Sequence, residues 1–186
     1  VFVYINGNFS EVLTAGNYSF WKGVMDYKFI KADISSVYID ESIPKVLFDH
    51  VKVRPMVRKF TVASDEAGLL FVDGKFVRQL ASRTYQFWVN STTVEIKSAD
   101  LRMQSMEISG QELLTKDKAA LRINFFVRFK ISNVVTALLE NKDCEKQLYL
   151  LMQLALRESV GSLTLDELLA KRETMGAEIL QIVSAK

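Results

Sequence analysis

One cysteine, Cys144, and one histidine, His50, are all that 186 residues hold of the side chains most used for metal and redox chemistry. A lone cysteine excludes an intrachain disulfide framework and leaves only a faint pointer to a reducing compartment. The same scarcity excludes a His/Cys metal site, a CxxC redox pair and a Cys-His dyad recognisable by local spacing. Long apolar runs are missing too. The longest, around Ala67 to Val72 and interrupted by Gly68, falls far short of the roughly 20 residues that cross a bilayer, and no signal peptide is visible. Neither charge dominates: 24 Lys and Arg stand against 22 Asp and Glu, a formal charge of +2. Without a basic patch interleaved with aromatics, nucleic-acid binding is not expected. No Walker motif or dinucleotide-binding glycine fingerprint occurs, and Gly68 and Gly74 instead fit strand entry and a hairpin turn.

What the chain does have is apolar substance, 49% hydrophobic residues, enough at this length to bury roughly 70% of the unfolded surface. Its most regular stretch is Ala120 to Ile131. Leu121, Ile123, Phe125, Val127, Phe129 and Ile131 fall on one side of an extended chain. Arg122, Asn124, Arg128 and Lys130 fall on the other, with Phe126 the large apolar exception. This period of two predicts a strand with one buried face.

The N-terminal half repeats itself. At an offset of 67, Gly7, Phe9, Leu13, Tyr18, Phe20, Trp21, Ala32 and Asp33 recur as Gly74, Phe76, Leu80, Tyr85, Phe87, Trp88, Ala99 and Asp100 without a gap. Eight identities over about 34 positions are several times what chance gives, which predicts a duplicated β-unit. Within each copy a hairpin is expected, from Phe2 to Ile5 through Asn6-Gly7 to Phe9–Leu13, and around Asp73-Gly74. A turn near Ala15–Asn17 should carry the first copy into a further strand at Tyr18–Trp21, giving a β-meander. Tyr27 to Ile39 reads as strand-like, Ile43 to His50 as a short helix or crossing, and Val51–Met56 and Lys59–Val62 as extended. Ser109-Gly110 reads as a turn after the extended piece Met103–Ile108.

After the central strand the period becomes helical. Asn133 can cap a short helix through Leu139, and Asp143 a longer one with Leu148, Leu151, Met152, Ala155, Leu156 and Val160 on one stripe. Thr164 with Glu167 forms a capping box that opens a last helix carrying Leu165, Leu168, Leu169, Met175, Ile179 and Val183 to the chain end. The expected architecture is therefore α+β, a mostly antiparallel sheet covered by C-terminal helices and preceded by a duplicated small β-unit. Residues 1–61 form the N-terminal unit and 62–186 the larger domain in this reading. The chain starts at Val1 in the middle of a strand pattern and its last helix lacks a stop signal, so a piece of a longer protein is expected.

Three blocks carry a family resemblance. They are GLLFVDGKFVRQL from Gly68, DLRMQSMEISGQELLTKDKAALRINFFVRFKI from Asp100, and LALRESVGSLTLDELLAKRETMGAEI from Leu154. Together they resemble the stomatin/prohibitin/flotillin family, the band-7 or SPFH domain, most closely its prokaryotic stomatin-like (slipin) branch, over about residues 64 to 183. Where the family often has Pro-Gly before the aromatic strand of its first hairpin, this chain has Ser82-Arg83, and Ala15-Gly16 in the upstream copy, so that loop is expected to differ in shape. The resemblance implies a membrane-associated, self-assembling scaffold, with a hydrophobic anchor before the domain and a long coiled coil after it. It also implies a homo-oligomer that regulates membrane proteins or a membrane protease, sometimes with an NfeD-type partner.

Candidate interface residues follow from these patterns. Trp21 and Trp88, each preceded by a phenylalanine, occupy matched places in the two copies, where one ring of each pair should be core and the other under a neighbouring layer or at a contact. Glu167, Lys171, Arg172 and Glu178 decorate the last helix, as a solvated face or as intersubunit ion pairs at the entrance to a coiled coil. No catalytic, metal or cofactor-binding residue is assigned, since His50, Cys144 and a Ser159/Lys171 combination all lack a supporting motif. The leading functional expectation is a non-enzymatic scaffold module. Its alternative is a soluble adaptor that holds a client through the duplicated β-unit.

Overall fold

The computed structural model describes residues 1–21 and 23–184. Its contacts divide the chain into two compact units, Val1–Ser98 and Ala99–Lys186.

In the first unit, β1 (Phe2–Ile5) lies between β2 (Asn8–Val12) and β3 (Tyr27–Ile30), antiparallel to both. The β1–β2 turn puts Asn6 at φ 50° and Gly7 at φ 81°, the two positive angles of a type I′ hairpin. A second three-stranded sheet has β5 (Glu66–Val72) between β6 (Lys75–Leu80) and β8 (Val94–Asp100), and β4 (Val57–Val62) pairs antiparallel with β7 (Arg83–Trp88). Short 3₁₀ turns at Lys45–Asp49 and Arg54–Met56 link the sheets. The latter replaces part of the extended stretch expected over Val51–Met56, because Pro55 has a fixed φ that suits a turn and no N–H for a ladder. Tyr27–Ile39 likewise shortens to β3 and a loop that touches the sheet again at Tyr38.

Because neighbours on a strand point to opposite faces, Phe87 and Trp88 enter different cores. Phe87 joins Val37, Val62, Leu70, Leu80, Tyr85 and Val94. Trp88 joins Phe2, Ile43, Leu47, Phe48 and Val53. Gly68 is held in β5 by close approach: a Cβ there would stand 3.1 Å from Val62 Cγ2 and 3.2 Å from Ile96 Cγ2. The expected strand at Tyr18–Trp21 is not formed, and those residues run without regular structure.

The second unit is a long hairpin, β9 (Gln104–Leu114) and β10 (Ala120–Phe129), with helices α1 (Cys144–Ser162), α2 (Leu165–Ala170) and α3 (Met175–Ser184). The alternation along β10 holds as read: Arg122, Asn124, Phe126 and Arg128 are exposed, and Leu121, Ile123, Phe125 and Val127 join the core. At Ser109-Gly110 there is no turn but a bulge. The ladder skips a residue between Ile123 and Phe125, Gly110 adopts φ 65°, and its N–H donates to Asn124 Oδ1 at 2.9 Å. A single extra residue bends the strand and leaves it continuous.

Asp143 caps α1 by accepting from the Lys146 N–H at 3.0 Å. Met152, Ala155, Leu156 and Val160 turn inward to meet Ile108, Leu113, Val127, Leu168 and Ile179. The short Asn133-capped helix is realised as a π-helical turn, Thr136–Glu140, with Asn133 Oδ1 accepting from the N–H groups of Val135 and Thr136 at 3.0 and 3.2 Å. The long final helix expected from Leu165 is broken. Residues 171–174 form a turn, stabilised by Thr174, whose N–H and hydroxyl both donate to Lys171 O at 3.0 and 3.1 Å. Between Leu169 and Met175 no apolar side chain larger than alanine holds this stretch to the core, and a threonine hydroxyl competes successfully for a helical carbonyl.

Candidate interaction surfaces

No arrangement for covalent or metal chemistry is assembled among the described residues. No group of three or more His, Cys, Asp and Glu could hold a metal ion. His50 is exposed, its Nδ1 accepting from the Lys52 N–H at 3.2 Å and its ring lying edge-on to Phe9 at 4.8 Å. Cys144 is half-buried at the start of α1, beside a cleft of about 300 Å³ lined by Phe129, Ile131 and Leu148 among others and by no imidazole. Ser159 is buried in α1, whereas the Lys171 ammonium is half-exposed and turned 4.0 Å from Glu178 Oε1. No helix of the described residues is long and apolar enough to cross a membrane.

The two matched tryptophans have opposite fates. Trp88 is 1% exposed, stacked on Phe2 at 6.3 Å and edge-on to Phe48 at 6.0 Å, so it is a packing residue. Trp21 is 87% exposed. Only the first copy therefore presents its indole at the surface of this chain.

The charged residues of α2 and α3 are largely engaged within the chain. Glu167 closes the capping box: its Oε2 accepts from the Thr164 N–H at 2.9 Å and the Thr164 hydroxyl at 3.1 Å, and its own N–H donates to Thr164 Oγ1 at 3.3 Å. Lys171 and Glu178 face each other across the break before α3. Arg172 is exposed on that break.

Two features escape a reading of periodicity. The turn between β9 and β10 grips the α1–α2 corner. The Lys116 N–H donates to Leu163 O at 2.8 Å, and Asp117 Oδ1 accepts from both the Leu165 N–H at 3.2 Å and the Thr115 hydroxyl. Thr115 itself is buried and accepts from the Ala119 N–H at 2.9 Å. The polar run Thr115–Lys118 suits a turn locally, but the partner of that turn lies 48 residues away. The second feature is a pair of leucines off the buried stripe of α1. Leu150 and Leu154, one helical turn apart, are 49% and 53% exposed. Leu169 and Leu180 are exposed on α2 and α3, as is Phe126 on β10.

Hydrogen bonds hold several carboxylates in their charged form. Asp117 is lowered below the usual aspartate value by the Thr115 hydroxyl first, and Glu167 by the Thr164 backbone and hydroxyl, with Lys116 and Lys171 adding weaker attraction. Arg102 lowers Asp100 in the same way. A carboxyl whose folded value is depressed contributes stability above its unfolded value of about 4 and loses it as pH falls through the folded value. Thermal stability is thus expected to be level from neutral pH to about 5 and to decline below about 4. Asp117→Asn should flatten part of that decline in melts followed across the pH series; an unchanged profile would remove the grip at Asp117 as a cause.

The chain is 32% identical over 137 residues to an uncharacterized protein of Methanocaldococcus jannaschii, covering 74% of this chain and 65% of that one. A stomatin homolog of Pyrococcus horikoshii is 32% identical over 84 residues, covering 45% of this chain and 32% of the homolog. Mechanosensory protein 2 of Caenorhabditis elegans is 29% identical over 114 residues, or 61% of this chain and 24% of that protein. The chain therefore spans between 24% and 65% of the length of these relatives. Residues 60–186, more than half of the sequence, match the SPFH domain / Band 7 family, and the chain belongs to that family.

Proposed function

We propose that this chain is a non-enzymatic, self-associating scaffold module of a membrane-associated stomatin-like protein of the prokaryotic slipin branch. The observation that carries the reading is the exposed Leu150–Leu154 pair on α1, within the matched stretch. Two leucines on adjacent turns form an apolar row of the kind that a second copy covers. Glu167, Lys171, Arg172 and Glu178 then serve mainly as a charged border to that row, since three of the four already have partners within the chain. Residues 62–186 act as the band-7 domain in this reading, and residues 1–61 as an additional β-unit. Membrane attachment resides outside the 186 residues, and the assembled module organises or regulates membrane proteins or a membrane protease, with an NfeD-type protein as one possible partner class.

Light-scattering mass measured over a range of concentrations tests it. The chain, or a version extended through its C-terminal helix, is expected to form a defined multimer. Leu150→Ser with Leu154→Ser is expected to dissociate it while leaving the fold unchanged. Monomeric behaviour of both versions at high micromolar concentration would sink self-association through this domain.

A further inference from the structure

Four asparagines lie in the first unit, Asn6, Asn8, Asn17 and Asn90, and three of them have a Ser or Thr two places on. These are Asn8-Phe9-Ser10, Asn17-Tyr18-Ser19 and Asn90-Ser91-Thr92. Ser and Thr make up 14 of residues 1–98, so chance gives this spacing to about one asparagine in seven. None of the asparagines of the second unit, Asn124, Asn133 and Asn141, has it. Asn-x-Ser/Thr is the acceptor pattern for N-linked oligosaccharide, provided that x is not proline and the site lies at the surface.

The structure separates the three. Asn90 is half-buried and spent: its Nδ2 donates to Ile34 O at 3.0 Å and to Ser35 O at 3.2 Å, and its Oδ1 accepts from the Thr92 N–H at 3.1 Å. Asn8 and Asn17 are exposed, and their carboxamides have no partner among the described residues. Asn8 follows the Asn6-Gly7 turn on β2, an edge strand of its sheet. Ser10 is the extra residue of a bulge there, since Val3 faces Glu11 and Tyr4 faces Phe9. Asn17, Tyr18 and Ser19 are all exposed, on a stretch without regular structure.

This exposure belongs to the positions themselves. Lys75 and Thr84 stand at the same places in the second copy, at the offset of 67, and both are exposed. Thr84 stays exposed although its strand is paired along its length with β4.

We propose that Asn8 and Asn17 are acceptors for N-linked oligosaccharide carried by a polyprenyl-phosphate donor, and that the first unit therefore faces the non-cytoplasmic side of its membrane, where such transfer takes place. In the transfer the carboxamide nitrogen forms a bond to C1 of the first sugar while the bond from C1 to the phosphate oxygen breaks. The lipid phosphate leaves with the electron pair, and one amide proton passes to a base of the transferase. Ser10 and Ser19 supply the hydroxyl by which the transferase recognises the site. Both acceptors lie outside residues 60–186, so this proposal and the scaffold reading are independent and either can fail alone.

The test is peptide mass spectrometry on the protein isolated from the membranes of the cells that make it. Peptides carrying Asn8 and Asn17 are expected to bear an oligosaccharide, and the peptide carrying Asn90 to have its plain sequence mass. Produced in the same cells, Asn8→Gln and Asn17→Gln should each remove one glycan from the intact mass. Ser10→Ala and Ser19→Ala should do the same, whereas Ser10→Thr and Ser19→Thr should keep it. That contrast reads recognition of the hydroxyl, which a merely structural role of the serine would not produce.

Plain sequence mass at both Asn8 and Asn17 would overturn the proposal. So would sugar that survives Asn8→Gln combined with Asn17→Gln, since it would then sit on another side chain. Sugar on Asn90 of the folded protein would show that surface access does not select the acceptors, and would equally sink it.

Discussion

Trp88→Ala is expected to lower the stability of the first unit by about 3–5 kcal/mol, the range for removing a fully buried large aromatic. Its indole stacks on Phe2 of β1 and meets Phe48 of the 3₁₀ turn, so its loss loosens three segments that are distant in sequence. Trp21→Ala, at the matched position of the other copy, is expected to change stability by no more than about 0.5 kcal/mol, as for exposed substitutions in general. Urea unfolding followed by circular dichroism measures both. Equal losses for the two variants would mean that Trp21 is covered in solution by part of the chain itself.

Leu156→Ala is expected to cost about 2–5 kcal/mol in the second unit, because α1 presents this side chain to both the β9–β10 hairpin and the later helices. Leu154→Ala, two residues earlier, should leave the midpoint of unfolding nearly where it was. Unfolding monitored at 222 nm reads this unit selectively, since α1, α2 and α3 all lie within Ala99–Lys186. The scaffold proposal adds a second expectation for the exposed leucine: with Leu150→Ala it should reduce assembly even though folding is intact. A Leu154 variant that unfolds as readily as the Leu156 variant would place the buried face of α1 elsewhere.

Much of this architecture was legible because the deciding forces were local. The alternation of β10 could be read since one face of the hairpin is buried and the other is not, and Phe126 stood out because it breaks the rule and stays exposed. The Thr164–Glu167 box was readable at a spacing of three residues, and the Asp143 cap likewise. What could not be read was set by partners far along the chain. Trp21 and Trp88 sit in nearly the same local sequence, but β4, Phe2 and Phe48 close over only one of them. The bulge at Gly110 depends on the Asn124 carboxamide across the hairpin, and the grip of Asp117 on Leu165 spans the whole of α1.

The candidate site divided along the same line. Charges on the last helices read as a solvated face or as intersubunit ion pairs, because a stripe of Glu and Lys carries no distance information. Lys171–Glu178 and Glu167–Thr164 are intrachain. The buried stripe of α1 was readable from its spacing, whereas Leu150 and Leu154 lie off that stripe, where periodicity carries no sign of what covers them.

The break at residues 171–174 has a torsional consequence. In an unbroken helix every inserted or deleted residue turns everything beyond it by about 100°. Here α2 and α3 are joined by a turn, so the azimuth of α3 is set by its own seating through Ile179, Ile182 and Val183 on the core and not by the helical phase of α2. Any supercoil in which α3 takes part draws its heptad register from that seating. Changes in the length of α2 can then be absorbed at the joint, without rotating the seam that α3 offers to a partner helix.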